Sequence, residues 1–184
     1  MRLAIKNYIR YKFLNSFFTG LSVGSIFVIY EPLKPSIFSL GGIFLAIGML
    51  VVAKFYEILL NIKRYFIIAL FVEIIMLILV AIFLFRPYEY MSALLIYIGY
   101  QLTFIFGAYL VRAETLIVRK KRLLSIVDES KQFGYLGGMA LSYVFYQILF
   151  FDLNKQEQVY NLHFLLFFIE IVIIYLFLKS FRSR

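Results

Sequence analysis

Six long apolar runs, separated by short polar segments, dominate the sequence. They cover residues 13–30, 37–60, 65–85, 91–111, 133–151 and 162–178. The runs lack the alternation of a half-buried strand, and each is long enough to cross about 30 Å of hydrocarbon as a helix. Helices satisfy every backbone hydrogen bond internally, which lipid requires. The pattern therefore predicts an all-α, polytopic membrane protein with six transmembrane helices in a single domain, residues 1–184.

The longest non-apolar segment lies between the fourth and fifth runs, at about residues 112–132. It mixes apolar residues with six lysines and arginines. This pattern is typical of an amphipathic helix that lies on the inner surface of a membrane. A cytoplasmic extension of the fourth helix fits the same residues equally well, and the sequence does not separate the two interpretations.

Basic residues are concentrated in alternate connections. Sixteen of the 19 lysines and arginines fall in residues 1–12, 54–64, 112–131 or 179–184, and three fall in the other loops. Because short loops rich in Lys and Arg stay on the cytoplasmic side, we expect both termini on the inside of a bacterial-type inner membrane. The net charge of +9 then indicates attraction to the lipid bilayer and its anionic headgroups, and it gives no evidence for nucleic acid.

Composition and motifs exclude several classes of protein. Hydrophobic residues make up 64% of the chain, against about 45–50% in soluble domains, which excludes a soluble enzyme. Cysteine is absent and histidine occurs once, so thiolate and histidine-rich metal sites are excluded. The sequence contains no phosphate-binding glycine loop, nucleophile elbow or zinc-protease motif. We therefore expect no enzyme activity, no cofactor and no metal.

Two residues inside the predicted hydrocarbon zone carry a formal charge at neutral pH, Glu73 in the third run and Glu170 in the sixth. A charged group at the centre of a bilayer costs about 2.5–3.5 kcal/mol on insertion scales. Such carboxyls usually face a bundle interior, where they can take up and release a proton. Both are therefore candidates for proton coupling. The alternative is that they are protonated and only join helices by hydrogen bonds.

Polar residues at helical spacing predict further functional faces on the first, fourth and fifth helices. Polar faces inside a membrane line a cavity or join helices, and we favour a shared cavity. The solute-path candidates are Asn15, Thr19, Ser22, Tyr97, Gln101, Arg112 and Tyr146. For Arg112, snorkelling to the headgroups is the alternative. Small residues at four-residue spacing allow close helix contact, and the helix-packing candidates are Gly20, Gly24, Gly134 and Gly138.

Two stretches of the chain resemble the major facilitator superfamily. In residues 30–74 the matching positions are Tyr30, Pro35–Gly42, Ala46–Gly48, Glu57 and Lys63–Arg64. Residues 134–142 look like the glycine-rich fifth helix of that family. The resemblance implies one six-helix half of the family's fold, with the first and fourth helices along the solute path. The family's cytoplasmic Gly-x-x-x-Asp-x-x-Gly-Arg turn is absent, so its gating role is not carried over.

These features together predict a half-size secondary transporter that moves a small-molecule solute across the inner membrane, with Glu73 or Glu170 coupling protons. A chain of half length would need a partner, most simply a second copy in a homodimer or else another membrane subunit. One alternative is the membrane-embedded solute-binding subunit of a multi-subunit uptake system. Another is a membrane assembly or scaffold protein that transports nothing.

Overall fold

The chain forms helices over almost its whole length in a computed structural model that describes residues 2–182. The helices are α1 Ile5–Ile29, α2 Pro35–Lys54, α3 Tyr56–Leu59, α4 Ile62–Phe85, α5 Tyr90–Ile105, α6 Gly107–Val118, α7 Lys121–Val144 and α8 Lys155–Lys179. A π-helical turn, Phe145–Leu149, continues α7. Two short strands, β1 Arg2–Leu3 and β2 Phe181–Arg182, stand at the ends of the described chain. The predicted all-α class is confirmed.

Within residues 2–182, five helical segments are long and apolar enough to cross a membrane. They are α1, α2, α4, α8 and the consecutive helices α5 and α6, which together cover Tyr90–Val118. The fifth predicted run, residues 133–151, occupies the second half of α7 and the π-helical turn. It is not among the five, because the first half of α7, residues 121–132, is rich in charged and polar residues. By length and composition, therefore, the structure has one candidate span fewer than the six predicted.

Several helices extend beyond the apolar runs that predicted them. α1 begins at Ile5 instead of residue 13, and α8 begins at Lys155 instead of residue 162. At α8 the cause is a capping box. The Asn154 side chain accepts a hydrogen bond from the Glu157 amide at 2.9 Å, and the Glu157 carboxylate accepts one from the Asn154 amide at 3.2 Å. Hydrophobicity marks the lipid-facing length of a helix, whereas capping residues mark its end.

The predicted amphipathic segment 112–132 is not one helix in the structure. Its first part completes α6, and its second part is the first half of α7. The chain breaks between them at Arg119, whose φ of 59° lies in the left-handed region. The fourth predicted helix thus extends to Val118, and the remaining residues lengthen the fifth. The position of residues 112–132 on a membrane surface stays a prediction.

α7 packs along α1 in parallel and at very short range. A Cβ atom on Gly134 would collide with the carbonyl oxygen of Phe13, and one on Gly138 would collide with that of Phe17. Gly20 faces the α7 backbone in the same way, so that both helices supply glycine where they touch. Without side chains at these positions the two backbones approach closely, which increases dispersion contacts along the interface.

The two ends of the described chain meet at one end of the bundle. β1 pairs with β2 in antiparallel register, with Leu3 opposite Phe181. The amide of Ala4 also donates to the carbonyl oxygen of Ser180 at 2.8 Å. α1 therefore begins and α8 ends at this end of the bundle, so the two helices are antiparallel.

α2 differs from the other long helices because none of its residues is buried. It touches the bundle mainly through α5, where the Tyr97 hydroxyl donates to the carbonyl oxygen of Phe38 at 3.1 Å. Large apolar side chains such as Phe44, 61% exposed, point away from the protein. Exposed side chains of this kind suit contact with lipid or with another apolar surface.

A buried carboxylate pair as the candidate functional site

Polar side chains from four helices converge on one small cavity, which is partly open because Thr19 and Phe104 on its wall are exposed. The cavity has a volume of about 210 Å³, room for several water molecules at about 30 Å³ each. Asn15, Thr19 and Ser22 line it from α1, as their common helix face predicts. The other lining residues are Phe18, Val23, Ile26, Val72, Glu73, Met76, Tyr100, Thr103, Phe104 and Glu170.

Glu73 lies near the middle of α4 and is fully hydrogen-bonded. Its side chain is almost completely buried, with 3% of the residue exposed. The Tyr11 hydroxyl donates to one carboxylate oxygen at 2.5 Å. The Asn15 amide nitrogen reaches both oxygens, at 3.1 and 3.2 Å. Hydrogen bonds from α1 thus fix the orientation of this carboxylate at the edge of the cavity.

Glu170, on α8, has no such partners. It is only 1% exposed, and within residues 2–182 neither of its carboxylate oxygens accepts or donates a hydrogen bond. It lines the same cavity as Glu73. An unpaired buried carboxylate is costly. The pair therefore needs a proton or another positive charge.

A third buried carboxylate, Glu114 of α6, lies nearer the end of the bundle where the chain ends meet. Unlike Glu170 it is surrounded by partners. The Lys12 ammonium is 2.5 Å from one of its oxygens, and Lys131 of α7 pairs with the other. The Tyr8 hydroxyl donates to Glu114 at 2.7 Å and lies 2.5 Å from the Tyr65 hydroxyl. This cluster joins α1, α4, α6 and α7 through neutralised charges.

The structure places Tyr97 and Gln101 outside the carboxylate cavity. Both line a separate apolar space of about 520 Å³ between α2 and α5. The Oε1 atom of Gln101 is buried there and has no hydrogen-bond partner in the described part of the chain. The α5 residues that do reach the carboxylates are Tyr100 and Thr103. The polar face predicted for the fourth helix thus lies on a different cavity from the carboxylates, and its role in a solute path stays a prediction.

Arg112 and Tyr146, the other two solute-path candidates, also lie away from the cavity. Arg112 is exposed, and its guanidinium lies 5.7 Å from the centre of the Tyr56 ring. Tyr146 lies in the π-helical turn, where its ring packs 3.4 Å from the position of a Cβ on Gly24. Its hydroxyl is buried without a hydrogen-bond partner among the described residues.

Four residues of the two buried carboxylate sites were not predicted from the sequence. Tyr11 and Tyr100 belong to the Glu73–Glu170 cavity, and Lys12 and Glu114 form the ion pair nearer the chain ends. Part of the signal was available, because Tyr8 and Lys12 continue the face of Asn15, Thr19 and Ser22 at the same spacing of four, three, four and three residues. The role of Glu114 had no comparable local signal. Its partners come from helices that are distant in sequence.

The side chains around the carboxylate pair do not form an evident metal centre. Among residues 2–182, no group of three or more His, Asp or Glu side chains is arranged to hold a metal ion. The polar groups on the cavity wall are two carboxylates, one amide and the hydroxyls of Thr19, Ser22, Tyr100 and Thr103. Chemically, this set can bind and release protons and can solvate a small cationic group.

Comparison with known proteins gives no family for the chain. No protein-family description matches it, and neither a curated protein nor a solved structure is significantly similar. The likeness to the major facilitator superfamily therefore stays a hypothesis that depends on residues 30–74 and 134–142.

Proposed function

We propose that this protein is a half-size secondary transporter, which moves a small solute across the inner membrane and couples the movement to protons on Glu73 and Glu170. One observation carries the proposal. Glu170 is buried on a cavity beside a second carboxylate, and no donor in the described chain satisfies it. A carboxyl that only joined helices would be expected to make the hydrogen bonds that it lacks.

The energetics favour a group that changes its state of protonation. Leaving a charge unpaired at the centre of a membrane costs about 2.5–3.5 kcal/mol. Protonation removes this cost when the cavity holds no cation, and contact with water lowers it when the cavity opens. A carboxyl in this situation gains or loses its proton as its exposure changes. This is the coupling that a secondary transporter requires.

We propose six membrane crossings, with both termini on the cytoplasmic side and the apolar half of α7 as the fifth crossing. Three features support this topology. The chain ends pair through β1 and β2, which suits an even number of crossings. α1 and α7 are parallel, as the first and fifth crossings must be. Finally, 16 of the 19 basic residues belong to segments that this threading puts on one side.

The bundle would act as one half of a major-facilitator-like transporter, with a second copy or another membrane subunit as its partner. The unburied surface of α2 offers an apolar area for such contact, although lipid can cover the same side chains. Rocking of one bundle against the other would expose the carboxylate cavity alternately to the two sides. Asn15, Thr19 and Ser22 are the residues we expect to touch the solute.

The full chain in liposomes with a trapped pH dye would test the proposal. Organic cations, carboxylates, sugars and amino acids are added outside, one class at a time, with a pH change inside as the readout. We expect at least one class to move protons in the wild type and in Glu31→Gln, which removes an exposed carboxylate. Glu170→Gln should abolish the movement, and Glu170→Asp should keep part of it.

The protonation of Glu170 can be tested separately with dicyclohexylcarbodiimide, an apolar reagent that modifies protonated carboxyls. Labelling of residue 170, located by mass spectrometry, should rise as the pH is lowered. A role in helix packing alone predicts a different result, in which Glu170→Gln changes stability while no solute moves protons through the wild type. That result would overturn the proposed function.

A further inference from the structure

The carboxylate cavity combines negative charge with aromatic walls. Glu73 and Glu170 supply the acidic groups, while Phe18, Tyr100 and Phe104 place rings on the same cavity. Aromatic faces attract cations, and rings gathered around a site are a known means of recognising alkylated ammonium groups. We infer that the solute is a small monovalent organic cation of the alkylammonium class, which competes with protons for the same two carboxyls. The inference rests on the proposed transport function.

Charge balance implies that a proton and the organic cation compete for the same negative charge in the cavity. With both carboxyls ionised, the cavity holds two negative charges and Glu170 has no donor in the described chain. Lys12 of α1 is already 2.5 Å from the Glu114 carboxylate and thus committed to it. A bound monovalent cation would cancel one of these two charges, as one proton does. Binding of one therefore releases the other, which is the basis of exchange.

The groups that face the pair do not remove this requirement. From α1, Tyr11 donates to Glu73 at 2.5 Å, but a neutral hydroxyl adds no charge. From α5, Tyr100 lies on the cavity near Glu170, and it too is neutral. Lys12 acts on Glu73 only at longer range. The cavity therefore carries two uncancelled negative charges, and each proton or monovalent cation that it binds cancels one of them.

Size and polarity narrow the class of cation. The volume of about 210 Å³ is below the range of about 300–1,000 Å³ that is usual for drug-sized ligands. Aliphatic side chains such as Val72 and Met76 share the wall with the aromatic rings. Such a wall favours a cation with apolar substituents over a strongly hydrated metal ion. Thr19, Ser22 and Thr103 can accept hydrogen bonds from any N–H groups of the solute.

The test uses the purified full chain in weakly buffered detergent with a pH dye. Tetramethylammonium chloride is the probe, with sodium chloride and the oversized tetraphenylphosphonium chloride as comparisons. We expect tetramethylammonium to release protons from the wild type and from Glu31→Gln, and to protect residue 170 from the carbodiimide. Glu170→Gln should lose the release.

A milder variant keeps the test valid if Glu170→Gln does not fold. Phe104 is 54% exposed, so Phe104→Leu should fold normally while it removes one ring from the cavity wall. We expect its apparent affinity for tetramethylammonium to fall about two- to fivefold, the loss of one partly exposed cation–π contact. An unchanged affinity would contradict the assignment of the aromatic wall.

The remaining outcomes separate this inference from the proposed function. Proton release by sodium but not by tetramethylammonium would overturn the organic cation and leave proton coupling in place. If neither salt releases protons while the carbodiimide still labels residue 170 at low pH, the organic cation is again overturned and proton coupling again stays in place. Release by tetramethylammonium that persists in a folded Glu170→Gln would place the cation elsewhere and overturn the inference. Failure of the labelling at every pH would refute the proton-coupled function itself.

Discussion

Removal of the Glu114 charge should destabilise the bundle strongly, because it leaves the buried Lys12 without its counter-ion. Only 5% of the Glu114 side chain is exposed, and 12% of the Lys12 side chain. Glu114→Gln preserves the shape of the side chain and removes the charge. Within residues 2–182, Lys12 then has no other carboxylate within ion-pair distance. Lys131 is better placed, because Asp128 lies 3.0 Å away and 23% of its side chain is exposed.

The size of the effect follows from this difference between the two lysines. Breaking a buried ion pair by removal of one partner costs about 3–5 kcal/mol, mostly because the other charge stays buried. Lys131 should add little to this cost, since it keeps Asp128 and reaches water. Lys12→Met alone should cost less, because Glu114 still has Lys131 and the Tyr8 hydroxyl. The double variant removes both buried charges.

We therefore expect the double variant, which combines Glu114→Gln with Lys12→Met, to be more stable than the single variant Glu114→Gln. The expected difference in the free energy of unfolding is about 2 kcal/mol or more. The assay is equilibrium unfolding in a mild detergent titrated with sodium dodecyl sulfate, with helicity followed by circular dichroism. The four chains form a double-mutant cycle that isolates the coupling between the two residues. The reasoning is refuted if Glu114→Gln unfolds within about 0.5 kcal/mol of the wild type, a change typical of ordinary surface substitutions. A double variant less stable than Glu114→Gln would refute it equally.

Two further predictions concern helix contact and topology. Gly138→Ala should destabilise by about 1–3 kcal/mol, because its Cβ meets the Phe17 backbone, whereas Gly42→Ala, with nothing within 4 Å, should be neutral or gain up to about 1 kcal/mol. Thermal unfolding of the two variants compares identical substitutions, and equal losses would contradict the close contact. The chain contains no cysteine, so single cysteines can report topology. A membrane-impermeant maleimide should label Glu89→Cys in intact cells and Arg122→Cys only after lysis, and labelling of the latter in intact cells would refute the proposed threading.

The parts of the site that could be predicted are those that depend on one unbroken helix. Asn15, Thr19 and Ser22 share a face of α1, and a regular helix keeps that face intact over its whole length. The buried positions of Glu73 and Glu170 follow from hydrophobic flanks that leave a carboxyl no favourable place except the interior. Both expectations need only local sequence and the cost of charge in an apolar medium.

The fourth helix could not be predicted in the same way. The predicted face was extended from Tyr97 to Arg112 as though the helix were continuous. In the structure α5 ends at Ile105 and α6 starts at Gly107, with a break at Phe106. Tyr97 and Gln101 both precede that position and face α2. Which face of α5 meets the carboxylates therefore depends on how α5 packs between α2 and α4, and a local sequence pattern does not give that packing.

Glu114 and Glu170 show why the surroundings of a carboxylate matter more than its depth. Both are almost fully buried, at 4% and 1% exposure, and both stand on helices that also carry many apolar residues. Glu114 has two ammonium groups and a tyrosine hydroxyl around it, so its charge is stable where it is and a proton would have to displace a lysine. Glu170 has only a second carboxylate and a cavity beside it. A balanced cluster resists titration and holds helices together, whereas an unbalanced pair must exchange charge with whatever enters the cavity. Glu114 therefore stabilises the packing of helices, whereas Glu170, in the proposed function, binds and releases protons.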